Sequence, residues 1–188
     1  MVISSRRGTD MDVVKALLTR RSVREYTDKK ISDETILKIL DCGNNAPVSG
    51  ELHFTVITNK AVLDEMDIAA KKAIEQSSNE FLKERISTEG YRLDYNAPCV
   101  IIVSSTERPY KEVNGACAVT NICNAAMEYN LGSCFLAGIM YAFTESPELK
   151  KKIEIPDKFI PQFAVCLGYS NDHSAEKILR DKNYNYFR

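Results

Sequence analysis

Three arginines and one serine near the start of the chain have the chemistry to bind an anion. Arg20, Arg21, Ser22 and Arg24 stand within five consecutive residues. An arginine guanidinium matches two phosphate oxygens at once, and a serine hydroxyl adds a further donor. The cluster therefore predicts half of a phosphate-binding site. An alternative stays open, because basic residues at the end of a helix are stabilised by the helix dipole whatever their function.

The segment before this cluster has the apolar period of a helix. Over 10–19 the apolar side chains recur three and four residues apart, and a Thr or Asp side chain is available to cap the start. The apolar residues are Met11, Val14, Leu17 and Leu18, and the candidate caps are Thr9 and Asp10. The arginines then follow the last turn of this predicted helix.

Further elements are predicted from apolar periodicity and from turn residues. Helices are predicted over 32–43, 59–75, 113–131 and 148–153, the last behind a Thr144 or Ser146 cap and before Pro156. Strands are predicted over 54–58, 98–103, 133–137 and 162–169. The strand at 98–103 is apolar throughout, which is typical of burial on both faces, and the helix at 113–131 is apolar on nearly every side. This interleaving predicts an α+β fold with a sheet wrapped by helices.

One stretch, 76–96, gives no clear pattern. It is polar and mixed, with Phe81, Tyr91 and Tyr95 as its large apolar groups. Long irregular segments in small domains often cover a functional site. We therefore predict that this stretch is a candidate lid, and that its aromatic residues belong to the core rather than to a site.

Composition limits the classes of partner. The 188 residues are 44% hydrophobic, enough for one domain that buries on the order of 70% of its unfolded surface. The 25 basic and 26 acidic residues nearly cancel, so nothing general favours nucleic acid or an anionic membrane. The chain has no apolar run that resembles a signal peptide or a membrane span. These features predict a cytoplasmic protein.

The cysteines and histidines give no sign of a metal site. The six cysteines are Cys42, Cys99, Cys117, Cys123, Cys134 and Cys166, and they form no Cys-x-x-Cys pair. Thiols among apolar residues are usually small core residues, and reduced thiols suit the cytoplasm. The two histidines, His53 and His173, stand alone, which favours structural or surface roles over acid–base catalysis. No metal and no catalytic side chain is predicted.

The order of segments resembles the nitroreductase family of FMN-dependent oxidoreductases. The resemblance covers about residues 11–182 and rests on a set of short motifs in the right order. They are Arg20-Arg21-Ser22-Val23-Arg24-Glu25-Tyr26, Ala46-Pro47, Asn96-Ala97-Pro98, Gly115-Ala116 with Asn121, the run from Leu131 to Gly138, Pro147-Glu148-Leu149, Ile155-Pro156 and Leu167-Gly168-Tyr169. The fold it implies has a central, mainly antiparallel sheet.

The resemblance also implies a cofactor and the residues that hold it. Arg20, Arg21, Ser22 and Arg24 would hold the phosphate and ribityl end of FMN, with Lys177 and Arg180 as candidates to complete the phosphate site. The segment Ala46-Pro47-Val48-Ser49 would contact the flavin ring from a partner subunit, because the family is homodimeric with FMN in the interface. Backbone groups of Leu136, Ala137 and Gly138 would approach flavin N5, where a missing β-carbon allows close contact with a planar ring.

The activity implied is a ping-pong reaction. NAD(P)H would supply a hydride, and a nitroaromatic, quinone or similar acceptor would take the electrons in a second step. Alternatives remain within the fold, namely a dehalogenating or flavin-cleaving relative, and outside catalysis, namely a flavin-binding protein without turnover.

Two departures from the family pattern bear on these alternatives. The segment from Pro47 to the strand at Phe54 is shorter than is common in the family, and Asn114 stands where the family often has aspartate. The shortening removes an expected asparagine contact to the ring.

Overall fold

An antiparallel sheet of four strands forms the centre of the computed structural model, which describes residues 12–171 and 183–187. The strands lie in the order β1, β2, β4, β3. They are β1 (Leu52–Ile57), β2 (Cys99–Thr106), β3 (Gly132–Leu136) and β4 (Phe159–Gly168). The predicted α+β class with a mainly antiparallel sheet is confirmed.

Helices connect and cover these strands. They are α1 (Val13–Thr19), α2 (Asp33–Asn44), α3 (Lys60–Gln76), α4 (Glu80–Ile86), α5 (Lys111–Glu128), a 3-10 helix (Gly138–Tyr141), α6 (Ala142–Glu145) and α7 (Leu149–Lys152). None of the helices in the described ranges is long and apolar enough to cross a membrane.

The helix starts differ from prediction in two places. The Asp12 carboxylate accepts a hydrogen bond from the Lys15 amide at 2.9 Å and caps α1, so the predicted start was too early. Thr9, Asp10 and Met11 lie outside the described residues. The cap predicted for α7 is wrong, because α7 follows Glu148 without a side-chain cap. Short helices of one turn are held by their packing, and here Leu149 is fully buried.

The core lies on both faces of the sheet. Along β2 the side chains alternate, so that Val100 and Ile102 pack toward α3 and α6 while Ile101 and Val103 pack toward α2 and α5. All four side chains are completely buried. The prediction of a strand buried on both faces is confirmed, and α5 is the core helix that its composition indicated, with Ala118, Val119, Ile122 and Ala126 fully buried.

The apolar face of α1 is an exception. Val14, Leu17 and Leu18, whose period predicted the helix, are each more than half exposed, as is Val13. Ala16 is the buried residue of this helix. The period correctly predicted a helix, but its apolar side chains stay largely exposed next to the parts of the chain that the structure describes.

The arginine segment continues the sheet beyond β3. Ser22 forms a parallel bridge with Ser133, and the Val23 amide donates to the Ser133 carbonyl at 3.0 Å. The Thr27 amide then donates to the Tyr169 carbonyl at 2.8 Å. A β-carbon on Gly132 would lie 2.7 Å from Val23, so the glycine permits this close approach. The pairing fixes the arginines along one edge of the sheet.

Candidate functional site

Part of the arginine cluster lies near Cys134 on β3, because Ser22 pairs with Ser133, the residue before Cys134. In extended backbone alternate residues share a side, which puts Arg20, Ser22 and Arg24 together and Arg21 on the other side. A hydrogen bond from Cys166 lowers the pKa of Cys134, and Arg24, Ser22 and Arg20 lower it further against the raising effect of burial. Three of the four predicted residues therefore converge on one point, where they favour a negative charge.

Tyr95 fixes the position of Arg24. The Arg24 guanidinium carbon lies 5.7 Å from the centre of the Tyr95 ring, and a hydrogen bond to Tyr95 raises the pKa of Arg24. The Tyr91 ring packs edge-on against Tyr95 with centres 5.9 Å apart. Tyr95 was assigned to the core from sequence, and that prediction is incomplete. Its spacing carries no sign of this contact, because the contact depends on a fold that brings 24 and 95 together.

The segment that carries Tyr95 is firmly anchored. The buried Asp67 carboxylate accepts from the Leu93 amide at 2.8 Å and pairs with Lys71 at 2.9 Å. The buried Asp94 carboxylate pairs with Arg92 at 2.7 Å. Buried charges paired in this way resist separation, since removing one partner leaves the other uncompensated. Of the predicted lid at 76–96, the part beyond residue 90 is therefore fixed.

The first part of that stretch is α4, which has no buried residue. It contacts the site through Leu82, whose side chain lies 3.6 Å from the position of a β-carbon on Gly138. Phe81 on the same helix is 64% exposed. Of the stretch at 76–96, α4 is therefore the part that could still cover the site. That it acts as a lid stays a prediction.

Leu136, Ala137 and Gly138 lie where β3 ends, two to four residues beyond Cys134. Leu136 pairs with Ala164 and is buried, whereas Ala137 is exposed. A β-carbon on Gly138 would lie 2.8 Å from a methyl carbon of Leu93. The glycine thus makes room for Leu93, which is a different reason from the close approach to a ring that we expected.

The segment Ala46-Pro47-Val48-Ser49 lies at the opposite edge of the sheet, before β1. Asn114, buried on α5, accepts from the Ser49 amide at 3.1 Å and donates to the Ser49 carbonyl at 2.7 Å. An amide satisfies both groups, whereas an ionised carboxylate can only accept. Asn114 therefore positions this segment, which accounts for the departure from the family pattern noted above.

The shortened connection to β1 is a tight turn. Gly50 has a φ of +102°, and a β-carbon there would lie 2.8 Å from the Thr106 hydroxyl. The Thr106 amide donates to the Glu51 carbonyl at 3.2 Å, which extends the pairing of β1 and β2 up to this turn. Three strand spacings, about 14 Å, separate this edge from β3. Within one chain the segment and the arginine cluster are far apart.

The remaining predicted residues fall in different places. Lys177, Arg180 and His173 lie outside the described residues. His53 stacks on Phe159 with ring centres 5.1 Å apart, and burial lowers its pKa. Cys42 is exposed, so its assignment to the core is wrong, whereas Cys99, Cys123, Cys134 and Cys166 are buried.

Comparisons with known proteins agree with this architecture. A model of the nitroreductase family matches residues 17–169. A protein of Archaeoglobus fulgidus described as an NADH dehydrogenase/NAD(P)H nitroreductase is 31% identical over 170 residues, with 86% of this chain and 87% of that protein covered. A similarly described protein of Methanothermobacter thermautotrophicus is 29% identical over 180 residues, covering 91% and 84%.

Solved structures share the fold. A Bacteroides fragilis nitroreductase with bound FMN has a TM-score of 0.83 at 27% identity, covering 95% of this chain and all of that one. A Desulfitobacterium hafniense nitroreductase with bound FMN has a TM-score of 0.85 at 23% identity and the same coverage, and it shows the fold alone.

Fold and comparisons together define the class as FMN-dependent oxidoreductase. The chain belongs to the nitroreductase family. The family resemblance drawn from the sequence is confirmed.

Proposed function

We propose that this chain holds FMN against the arginine cluster and passes electrons from NAD(P)H to small oxidised acceptors. The observation that carries the proposal is the pairing of the arginine segment with β3, which puts Ser22 opposite Ser133 and next to Cys134. Cys166 and then Arg24, Ser22 and Arg20 lower the pKa of Cys134, so the surroundings favour a negative charge there. A phosphate needs the same donors, since charge-assisted hydrogen bonds to arginine and hydroxyl groups are its usual ligands. The residues present therefore fit the phosphate end of FMN.

Names of relatives support the electron donor. The proteins of Archaeoglobus fulgidus and Methanothermobacter thermautotrophicus are both described as acting with NADH or NAD(P)H. The Bacteroides fragilis structure contains FMN. The choice of nitroaromatics or quinones as acceptors follows from the family resemblance.

The other site residues are assigned by the same proposal. Lys177 and Arg180 would complete the phosphate site, and the Leu136, Ala137 and Gly138 backbone would face the flavin ring. The sequence also assigned Arg21 to the phosphate, but its side chain points to the other side of the segment, so that assignment stays a prediction. Ala46, Pro47, Val48 and Ser49 would reach the ring of a second copy, because within one chain they lie about 14 Å from the β3 edge.

Formation of a homodimer is part of the proposal. The exposed apolar side chains of α1, at Val13, Val14, Leu17 and Leu18, support it, because exposed apolar surface of this kind is typical of an interface. Two flavin sites would then lie between the two chains. Each site would take its arginines from one chain and its 46–49 segment from the other.

The side chains of this protein would position the cofactor, neutralise the charge of its phosphate and exclude water from the site. FMN supplies the hydride chemistry when it is bound. Arg20 and Arg24 offset phosphate charge, and Tyr95 holds Arg24 in place. Leu82 and Leu93 close off the region around Gly138. NAD(P)H and then the acceptor would bind in turn at the same place, which is ping-pong kinetics. Hydride transfer requires no side-chain acid or base, so none is assigned.

A spectroscopic experiment tests the proposal. The purified protein is expected to be yellow, to lose its visible flavin absorbance when NADH or NADPH is added without air, and to regain it when a quinone or nitroaromatic is added. A yellow protein that neither nucleotide bleaches would contradict the reductase and favour flavin binding without turnover. A colourless protein that takes up no FMN would overturn both.

A panel of acceptors then tests the range of chemistry. It should include halogenated aromatics as acceptors and, in a separate assay with oxygen, reduced flavin as a substrate for cleavage, because the short turn at Gly50 alters the segment proposed to contact the ring. We expect nitroaromatics and quinones to be reduced fastest. Turnover of a halogenated aromatic or of the flavin alone would contradict that acceptor class.

A further inference from the structure

Two cysteines on neighbouring strands face each other in the core. Cys134 on β3 and Cys166 on β4 are directly opposite in the antiparallel register. Both side chains belong to the core on the α3 side of the sheet, so they point the same way. Opposite residues of antiparallel strands have Cα atoms about 4.5 to 5.5 Å apart. A disulfide requires about 4.4 to 6.8 Å, so this pair meets the distance without movement of the backbone.

Contacts of the Cys166 sulfur place it against the backbone of Cys134 and the hydroxyl of Tyr26. The Cys166 thiol lies 3.6 Å from the Cys134 carbonyl, across the strand pair. The Tyr26 hydroxyl lies 3.2 Å from the Cys166 sulfur and 2.6 Å from the Val23 carbonyl. The tyrosine proton goes to Val23, so the Tyr26 oxygen and the Cys134 carbonyl are two acceptors within reach of the single Cys166 thiol proton. Cys166 is therefore held as a thiol.

The two thiols differ in character. The neighbouring Cys166 lowers the pKa of Cys134 most, and Arg24, Ser22 and Arg20 lower it further. Burial raises the pKa of Cys166. A thiolate beside a thiol is the arrangement that reacts with an oxidant and is then resolved by the neighbour.

We propose that Cys134 and Cys166 are a redox-active pair that a hydroperoxide converts into a disulfide joining β3 and β4. The Cys134 thiolate attacks the peroxide oxygen, the O–O bond breaks, and a sulfenic acid and hydroxide form. The Cys166 sulfur then attacks the Cys134 sulfur, and the sulfenic oxygen leaves as water with the thiol proton. Two thiols and one hydrogen peroxide give one disulfide and two waters. The reaction consumes no flavin, so a missing disulfide would leave the proposed FMN site untouched, whereas a phosphate bound at the arginines would raise the pKa of Cys134 and slow the first step.

Other buried thiols lack this arrangement. Cys99 stands opposite Leu167, on the α5 side of the sheet. Cys123 is on α5 and also belongs to the core on that side. Hydrogen peroxide is small enough to reach Cys134, whose exposure is 3%, during local openings of the edge strand.

Peptide mapping of the wild-type protein tests the proposal directly. The reduced protein, purified with its cofactor, is treated with hydrogen peroxide, its remaining thiols are alkylated, and it is digested without reductant. Trypsin together with a glutamate-specific protease separates Cys134 from Cys117 and Cys123, because Glu128 lies between them. We expect an intact mass lower by two hydrogens and a β3 peptide linked to a β4 peptide. Sulfinic acid on Cys134 with a free Cys166, or a link from Cys134 to Cys123, would overturn the proposal.

Single variants sharpen the result. Cys134→Ala and Cys166→Ala should each abolish the link, whereas Cys123→Ala and Cys42→Ala should keep it. In Cys166→Ala the sulfenic acid has no resolving thiol, so Cys134 should proceed to sulfinic acid. A Cys166→Ala protein with unoxidised Cys134 after the same treatment would contradict the assigned order. If a variant fails to fold, the wild-type map decides the question by itself.

Discussion

The two edges of the sheet build their parts of the site in different ways. At the β3 edge, charged side chains converge on a thiol, and Arg20, Ser22 and Arg24 carry chemistry that residue type alone displays. At the β1 edge, neutral groups fix a backbone, and Asn114 with Gly50 sets the course of the chain. Charge should therefore govern ligand affinity at one edge, and hydrogen bonding and backbone conformation should govern stability at the other.

The largest effect is expected at the β3 edge. Replacing Arg20 and Arg24 together with alanine should weaken FMN binding on the order of 10²-fold, about tenfold for each charge-assisted contact after solvent screening. The melting temperature should change little, because both side chains are partly exposed. Titration of FMN into the apoprotein measures the effect, and Lys38→Ala on α2, which removes one positive charge away from the cluster, is the control. Unchanged FMN affinity in the double variant would show that the phosphate lies elsewhere.

At the β1 edge, Gly50→Ala should lower stability rather than affinity. The φ of +102° is unfavourable for a residue with a β-carbon, and that carbon would lie 2.8 Å from the Thr106 hydroxyl. Strain of this kind costs about 1 to 3 kcal/mol. Denaturant unfolding measures it, and Gly90→Ala, also at positive φ but with nothing within 4 Å, isolates the steric part. Equal losses in the two variants would mean that the Thr106 contact adds nothing.

Asn114→Asp should cost about 1 to 3 kcal/mol, since it leaves the Ser49 carbonyl without a donor and brings a charge beside it. Asn114→Ala removes both hydrogen bonds without adding a charge. We therefore expect the aspartate to be at least as destabilising as the alanine at neutral pH. An aspartate variant as stable as the parent would contradict the assigned hydrogen bonds.

The smallest effect is a pH dependence at the β3 edge. The arginines lower the pKa of Cys134 in the free protein. A bound phosphate would take up their charge and raise that pKa again, so binding would take up a proton. FMN affinity should then increase as the pH falls from mildly alkaline to mildly acidic. The increase is at most about tenfold for each unit by which the pKa of Cys134 differs between the FMN-bound and the free protein. Cys134→Ala should weaken the dependence of FMN affinity on pH, because the thiol that takes up the proton is gone. If the variant shows the same pH dependence as the parent, protonation of Cys134 is not coupled to FMN binding.

Local patterns predicted the elements but not how some of them pair. The apolar run at 98–103 correctly predicted a central strand, yet β2 continues to Thr106 through two buried serines. Ser104 and Ser105 are in the strand because β4 pairs with them beyond an irregularity at Val103. Serines do not by themselves indicate a strand in the sequence, because pairing with a strand far along the chain decides whether they belong to one.

The candidate site shows the same division. The arginines could be found from their types and spacing, because phosphate chemistry requires those groups. Tyr95 and Asn114 could not, because each acts through a partner far along the chain, at Arg24 and Ser49 respectively. The opposition of Cys134 and Cys166 likewise depends on the strand register.

The bridge between Ser22 and Ser133 also bears on solubility. An uncovered edge strand presents free amide and carbonyl groups, on which a strand of another molecule can add and begin an aggregate. On β3 those groups are met in part by the arginine segment, with Val23 donating to Ser133. Arginine side chains beside an edge further discourage strand addition by charge repulsion. The segment proposed to hold the phosphate thus also shields the edge of the sheet. A variant that lacks residues 1–23 would lose phosphate-binding residues and the cover over β3 at the same time.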